Sequence, residues 1–207
     1  MIPGTEISKI ALPAHLHRIF KTHPPALWGT GNADILCHPL LAIISARQID
    51  GDLERASLQI IKQVAALKNV SFIGGWHSRL EQDCFQILLT EQASLVFCIS
   101  KALERFKPTA EVKNLITENK ALVLTHCTPR AKRISREASI RRNQVVVELA
   151  AALLVLSAPV GSASLNLARA ALEARKPVFT LEHHMNRKLL DSSASVATLD
   201  RICAALR

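Results

Sequence analysis

From residue 40 onward the chain alternates between short unbroken apolar runs and amphipathic stretches, and this rhythm constrains the fold more than any other feature. The runs at 40–44, 95–99, 121–124 and 152–157 lack polar alternate positions, as strands covered on both faces require. Between them, residues 52–67 set Leu53, Ala56, Ile60, Val64 and Leu67 on one helical stripe, with Asp52 as the expected N-cap. The same pattern predicts strands at 72–73 and 177–179 and helices over 80–91, 110–118, 143–151, 164–174 and 196–206. Aromatic residues make up only 4% of the chain and tyrosine is absent, which favours helices packed on a buried sheet over an aromatic-rich sandwich.

Strands joined by helices cross over right-handedly into a mostly parallel sheet. The expected class is therefore α/β, a Rossmann-like doubly wound sheet with helices on both faces, formed by residues 40–207. Residues 1–39, with five prolines, read as an irregular lead-in carrying a short strand near 26–28. The longest apolar run, 149–156, is far shorter than the roughly 18–20 residues a bilayer crossing needs, and no charged-then-apolar leader opens the chain; a cytoplasmic protein without membrane contact is expected. Five cysteines without a C-x-x-C pair predict reduced thiols rather than disulfides or a zinc knuckle.

The charge is local. Residues 120–142 hold seven basic residues and one acidic, so they supply +6 of the net +9, the footprint of a phosphate-bearing partner or a solvated basic loop. Ligands of doubly wound sheets sit beyond the strand C-termini, where this sequence places Ser45-Ala46-Arg47, Gly74-Gly75-Trp76-His77, Ser100-Lys101 and residues 158–164. Candidate phosphate contacts are Arg47, Lys132, Arg133, Arg136 and Arg141-Arg142-Asn143, the last three expected just ahead of a helix. Gly161, Ser162 and Ser164 open the next helix as donors to an anion, or as a plain turn with Ser164 as the N-cap. Gly74 and Gly75 permit close backbone approach, and Trp76 either stacks on a base or closes the core. His183 and His184 are adjacent, which in a helix or a strand would point them apart; no metal site and no cofactor are expected. No Walker loop, G-x-G-x-x-G, G-x-S-x-G or H-E-x-x-H is present, so no catalytic residues are assigned.

Taken together, "PPALWGTGNADILCHPLLAIISAR", "RRNQVVVELAAALLVL" and "VGSASLNLARAALEARKPVFTLE" resemble the Rossmann-like domain of the DNA-processing protein A (DprA/Smf) family over about three quarters of the chain. The first matches that family's V-A-I-V-G-S-R with Ser45 in place of glycine; the others match its R-N-R-I-I-A-G-L-S, S-G-S-L-x-T-A and G-R-P-V-F-A-V-P. A glycine-rich segment of the family is reduced here to "IGGWHSRLEQDCFQ". The resemblance implies a non-enzymatic single-stranded DNA binder in DNA processing, recombination or natural transformation, a homodimer, and a recombinase as partner. It also implies that Arg47, Arg142, Asn143, Gly161, Ser162 and Ser164 line the pocket. Two alternatives stay open: a nucleotide-ligand sensor or phosphoribohydrolase-like protein of the same superfamily, or a scaffold with a vestigial pocket.

Overall fold

The computed structural model describes residues 6–17, 26–128 and 135–207. Its strands are β1 (Ser8–Lys9), β2 (Trp28–Gly31), β3 (Leu40–Ser45), β4 (Ser71–Gly74), β5 (Ser94–Ile99), β6 (Ala121–Thr125), β7 (Ala152–Ser157), β8 (Val178–Thr180) and β9 (Ser195–Val196). Its helices are α1 (Ala14–His17), α2 (Gly51–Ala65), α3 (Arg79–Thr90), α4 (Ala110–Thr117), α5 (Arg136–Leu149), α6 (Ala163–Glu173), α7 (Arg187–Leu190) and α8 (Leu199–Ala205). The strands form one sheet in the order β1-β2-β6-β5-β4-β3-β7-β8-β9. From β6 to β9 across the sheet every pairing is parallel, while β1 and β2 add an antiparallel margin beside β6, with Trp28 opposite Thr125 and Gly31 opposite Leu122. The lead-in is thus part of the sheet.

The period of two in each strand sorts side chains between the faces. Leu41, Ile43, Leu95 and Phe97 meet Ile60, Ile61 and Val64 of α2, Leu88 of α3, Leu115 of α4 and Ile202 of α8. On the other face Leu40, Ala42, Val96 and Cys98 meet Val145, Val146 and Leu149 of α5 and Leu165 and Ala168 of α6. Each fully buried Leu or Ile contributes about 1.5–3 kcal/mol, so the two apolar layers fix the sheet before any polar contact is counted.

The chain winds outward from β3 through β4 and β5 to β6, then returns with α5 to place β7 on the other side of β3. The direction of winding reverses at β3, and a reversal opens a crevice at the C-terminal ends of the strands. The β3–β7 register shifts at Ile44/Ser45, a bulge beside that crevice that re-aims Ser45.

Several expectations need correction. The helix predicted over 143–151 starts at Arg136, capped by Ser135, whose side chain accepts the Ala138 N–H, so Arg141-Arg142-Asn143 lies within the helix and not ahead of it. The N-cap of α2 is Asp50, not Asp52, and that of α6 is Ser162, not Ser164. Lys132 and Arg133 lie outside the described residues.

Candidate nucleic-acid interface

The crevice at the strand ends measures about 1260 Å³ and is lined by all four loop groups that the sequence pointed to. Arg47 follows β3, Gly75 to His77 follow β4, Ser100 and Lys101 follow β5, and Pro159 to Ser164 follow β7. The first half of α5 closes one wall with Ser139, Arg142 and Asn143. Ser139 Oγ lies 3.5 Å from Ser100 Oγ, which ties that wall to the end of β5.

Arg142 forms the floor. Its residue is only 7% exposed, and its Nη1 donates one long bond of 3.4 Å to the Cys98 carbonyl at the end of β5. Nε is buried with no hydrogen-bond partner among the described residues, and no salt bridge to it is found there. Burial pulls this guanidinium below its ordinary pKa, although Cys98 and Glu81 act in the opposite sense. Gly75 makes room for it: a Cβ at that position would stand 2.7 Å from Arg142 Cζ. The two glycines therefore serve side chains of this protein. Gly74 lies beneath the Trp76 indole, 3.1 Å from where its Cβ would be, and does not line the crevice.

Trp76 is a core residue, 7% exposed. Its indole packs against Phe85 and Phe97 at centroid distances of 6.0 and 6.1 Å, and Nε1 donates to the Val96 carbonyl at 3.4 Å. Although Trp76 borders the crevice, so little of it is exposed that the packing favours the core-closing reading of this residue over the base-stacking one. Phe106 is the half-buried aromatic of the crevice, with Lys101 Nζ 5.6 Å from its centroid.

Adjacent positions on a helix diverge by about 100°, and Arg141 accordingly leaves the crevice. Its Nη1 binds Glu148 Oε1 at 2.7 Å and Gln144 Oε1 at 3.2 Å. Arg136, exposed at the start of α5, shares a helix face with Ser139 and Asn143 but lies beyond the crevice lining. The cations that do line it are Arg47, Lys101, Lys107 and Arg142, against the carboxylates of Glu81 and Glu111.

Glu81 escaped the sequence reading. It sits in the first turn of α3 and is 8% exposed. Oε1 accepts the Ser45 N–H at 3.0 Å, and Oε2 accepts the His77 and Ser78 N–H groups at 2.8 and 3.2 Å. A carboxylate of the chain thus occupies the backbone donors at the ends of β3 and β4. The Ser78-x-x-Glu81 spacing ahead of an apolar helix is the signature of a capping box and would have revealed it, as the reciprocal bonds show.

The donors at α6 remain. Ser162 Oγ accepts the Leu165 N–H, and Ser164 Oγ donates to the Ser157 carbonyl at 2.8 Å, so both hydroxyls are engaged inside the turn. Gly161, at φ +81°, turns the chain into the helix, and the Ala163 and Ser164 N–H groups stand in a first turn that offers them no intrahelical acceptor. His77 completes the site. Desolvation of its ring, followed by the charges of Arg142, Lys101 and Arg47, brings its pKa from 6.5 to about 4.

Fold and site define a Rossmann-like protein whose switch-point crevice is floored by a desolvated arginine and rimmed by lysines. The chain belongs to the DNA recombination-mediator protein A family, whose model matches residues 6–202. The X-ray structure of DNA processing protein A (DprA) from Streptococcus pneumoniae aligns with a TM-score of 0.79 at 19% identity, over 100% of this chain and 76% of that one. DNA processing protein A from Helicobacter pylori, described for its single-stranded DNA binding mode, aligns at 0.77 and 19% identity, over 98% and 96% of the chains. The molybdenum cofactor carrier protein of Chlamydomonas reinhardtii shares the fold more distantly, at 0.55 and 14% identity, over 82% and 98%. No curated protein sequence matches this chain. Among the described residues no helix is long and apolar enough to cross a membrane.

Proposed function

We propose that this protein binds single-stranded DNA in DNA processing or recombination, holding backbone phosphates against Arg142, Arg47 and Lys101 and a base against Phe106. The observation that carries this reading is Arg142, a guanidinium kept buried at the crevice floor with an orphan Nε and one long hydrogen bond. Such a group gains most from an incoming anion, because the partner then satisfies donors the fold leaves open. Membership of the family and the single-stranded DNA binding attributed to the Helicobacter pylori protein point the same way.

The role is one of binding rather than catalysis. Glu81 is held by three backbone N–H groups, and burial pushes the Cys98 thiol up to about 12, so neither offers a ready base or nucleophile. Cytoplasmic residence, a homodimer and a recombinase partner complete the proposal on the strength of the family. A mononucleotide in the same crevice is the second reading, favoured by its position at the switch point.

Fluorescence anisotropy of a labelled single-stranded oligonucleotide separates the two. With three to four cations engaged, log K should fall against log salt with a slope of about −2 to −3, and nucleoside monophosphates should compete poorly. Tight competition by a mononucleotide would replace the first reading with the second.

A further inference from the structure

A second cluster lies at the same end of the sheet, outside the crevice lining. Asp50 caps α2 with one carboxylate oxygen, Oδ1 accepting the Leu53 N–H at 3.0 Å. Its other oxygen, Oδ2, faces the segment after β8, 3.2 Å from His183 Nε2 and 3.8 Å from His184 Nε2. Neither helix nor strand governs the two histidines. His183 is extended (φ −156°, ψ 150°) and His184 begins a 3-10 turn, so adjacent side chains fold over one another with ring centroids 4.2 Å apart. The divergence predicted from adjacency is overturned by that turn. One ligand atom from each of the three residues lies within 4.8 Å of the other two.

We propose that Asp50, His183 and His184 form a binding site for a divalent transition-metal ion such as zinc. Ligand bonds of about 2.0–2.1 Å in a tetrahedron set ligand atoms roughly 3.3 Å apart. The two contacts to Asp50 need only a few tenths of an ångström, and His184, whose side chain is 78% exposed, is free to make the larger adjustment. Two imidazoles and a carboxylate suit zinc, cobalt(II) or nickel(II), whereas magnesium and calcium take oxygen sets. Water would fill the fourth position.

Proton balance is simple for His183. Its Nδ1 accepts the Met185 N–H at 3.3 Å, so the ring proton sits on Nε2 and points at Asp50. On metal binding the Nε2 proton is lost to solvent, the freed lone pair goes to the ion, and Nδ1 takes up a proton from solvent, so the Met185 N–H gives up this acceptor. The ring is neutral before and after. A bound ion would clip the β3–α2 connection, three residues beyond Arg47, to the turn after β8.

The test uses the full chain, stripped with chelator and titrated with cobalt(II), then with zinc. Tetrahedral nitrogen and oxygen ligation gives a visible cobalt d–d band without a thiolate charge-transfer band, and zinc should raise Tm by mass action. His184→Ala removes an exposed ligand, and Asp50→Asn keeps an N-cap while removing the charge; each should weaken cobalt binding by at least roughly tenfold and abolish the zinc-induced Tm rise. Absence of binding by the unaltered chain would overturn the site. So would a thiolate band, which would place the ion on Cys37 or Cys203, or binding undiminished in both variants.

Discussion

Replacing Arg142 with methionine separates folding from binding more sharply than any other substitution. Methionine follows the arginine stem and fills much of its volume, so the crevice floor stays packed. What disappears is a desolvated cation whose Nε is unpartnered and whose bond to the Cys98 carbonyl is 3.4 Å long. A buried donor left unsatisfied costs about 1–3 kcal/mol, and buried charges exchanged for apolar groups of similar shape are often neutral or stabilising. Arg142→Met should therefore leave stability unchanged or raise it by about 1–2 kcal/mol, seen as a Tm increase of several degrees for a chain this size. Binding should move the other way. Loss of one charge-assisted contact to phosphate removes about 1.5–3 kcal/mol, a roughly 10- to 150-fold fall in affinity for a single-stranded oligonucleotide, and the salt slope should shrink by about 0.7. Denaturant unfolding and anisotropy titrations between 50 and 200 mM salt read both quantities. If the variant unfolds more easily by over about 2 kcal/mol while its binding isotherm and salt slope stay put, Arg142 is a structural residue and the reasoning fails.

Gly75→Ala drives a methyl toward the same guanidinium, 2.7 Å from Cζ; it should lower stability by about 1–3 kcal/mol and weaken DNA binding in the direction of the methionine variant. Arg141→Ala breaks the Glu148 pair and the Gln144 bond, both on the outer side of α5, so stability should drop by about 0.2–1 kcal/mol with a much smaller change in affinity than at Arg142. Trp76→Ala empties an aromatic cluster and should destabilise by about 3–5 kcal/mol, whereas Trp76→Phe should retain the oligonucleotide affinity, since the indole is not a stacking platform. His77 has its folded pKa depressed from 6.5 to about 4, so between those values the unfolded chain binds more protons and stability rises with pH. The contribution is complete above 6.5 and fades as pH falls toward 4; denaturation curves across this window should flatten in His77→Gln.

The parallel core was legible because its signal is local. Strand β7 matches the apolar run at 152–157, and β5 and β6 differ from expectation by one residue each. The first half of α5 was not legible, since 136–144 contains Ile140 as its one large apolar side chain and so shows no stripe. Nor was β1, which is ordered by pairing with β2, while the short strand expected near 26–28 is displaced to 28–31, where β2 pairs with β6. In the site, position was readable and role was not. The four strand-end loops that were named all contribute to the crevice, yet Trp76 and the serine hydroxyls turned inward, and Glu81 occupies the Ser45, His77 and Ser78 N–H groups there. Sequence shows which groups reach a sheet end; only packing decides which of them the protein uses on itself.

Among the described residues the sheet ends at both margins in strands of two residues, β1 and β9. Stubs this short offer an outside chain almost no exposed ladder of N–H and C=O groups, so the sheet cannot readily be extended by another copy. Among the described residues, then, the helices and loops offer an outside chain far more surface than the sheet margins do.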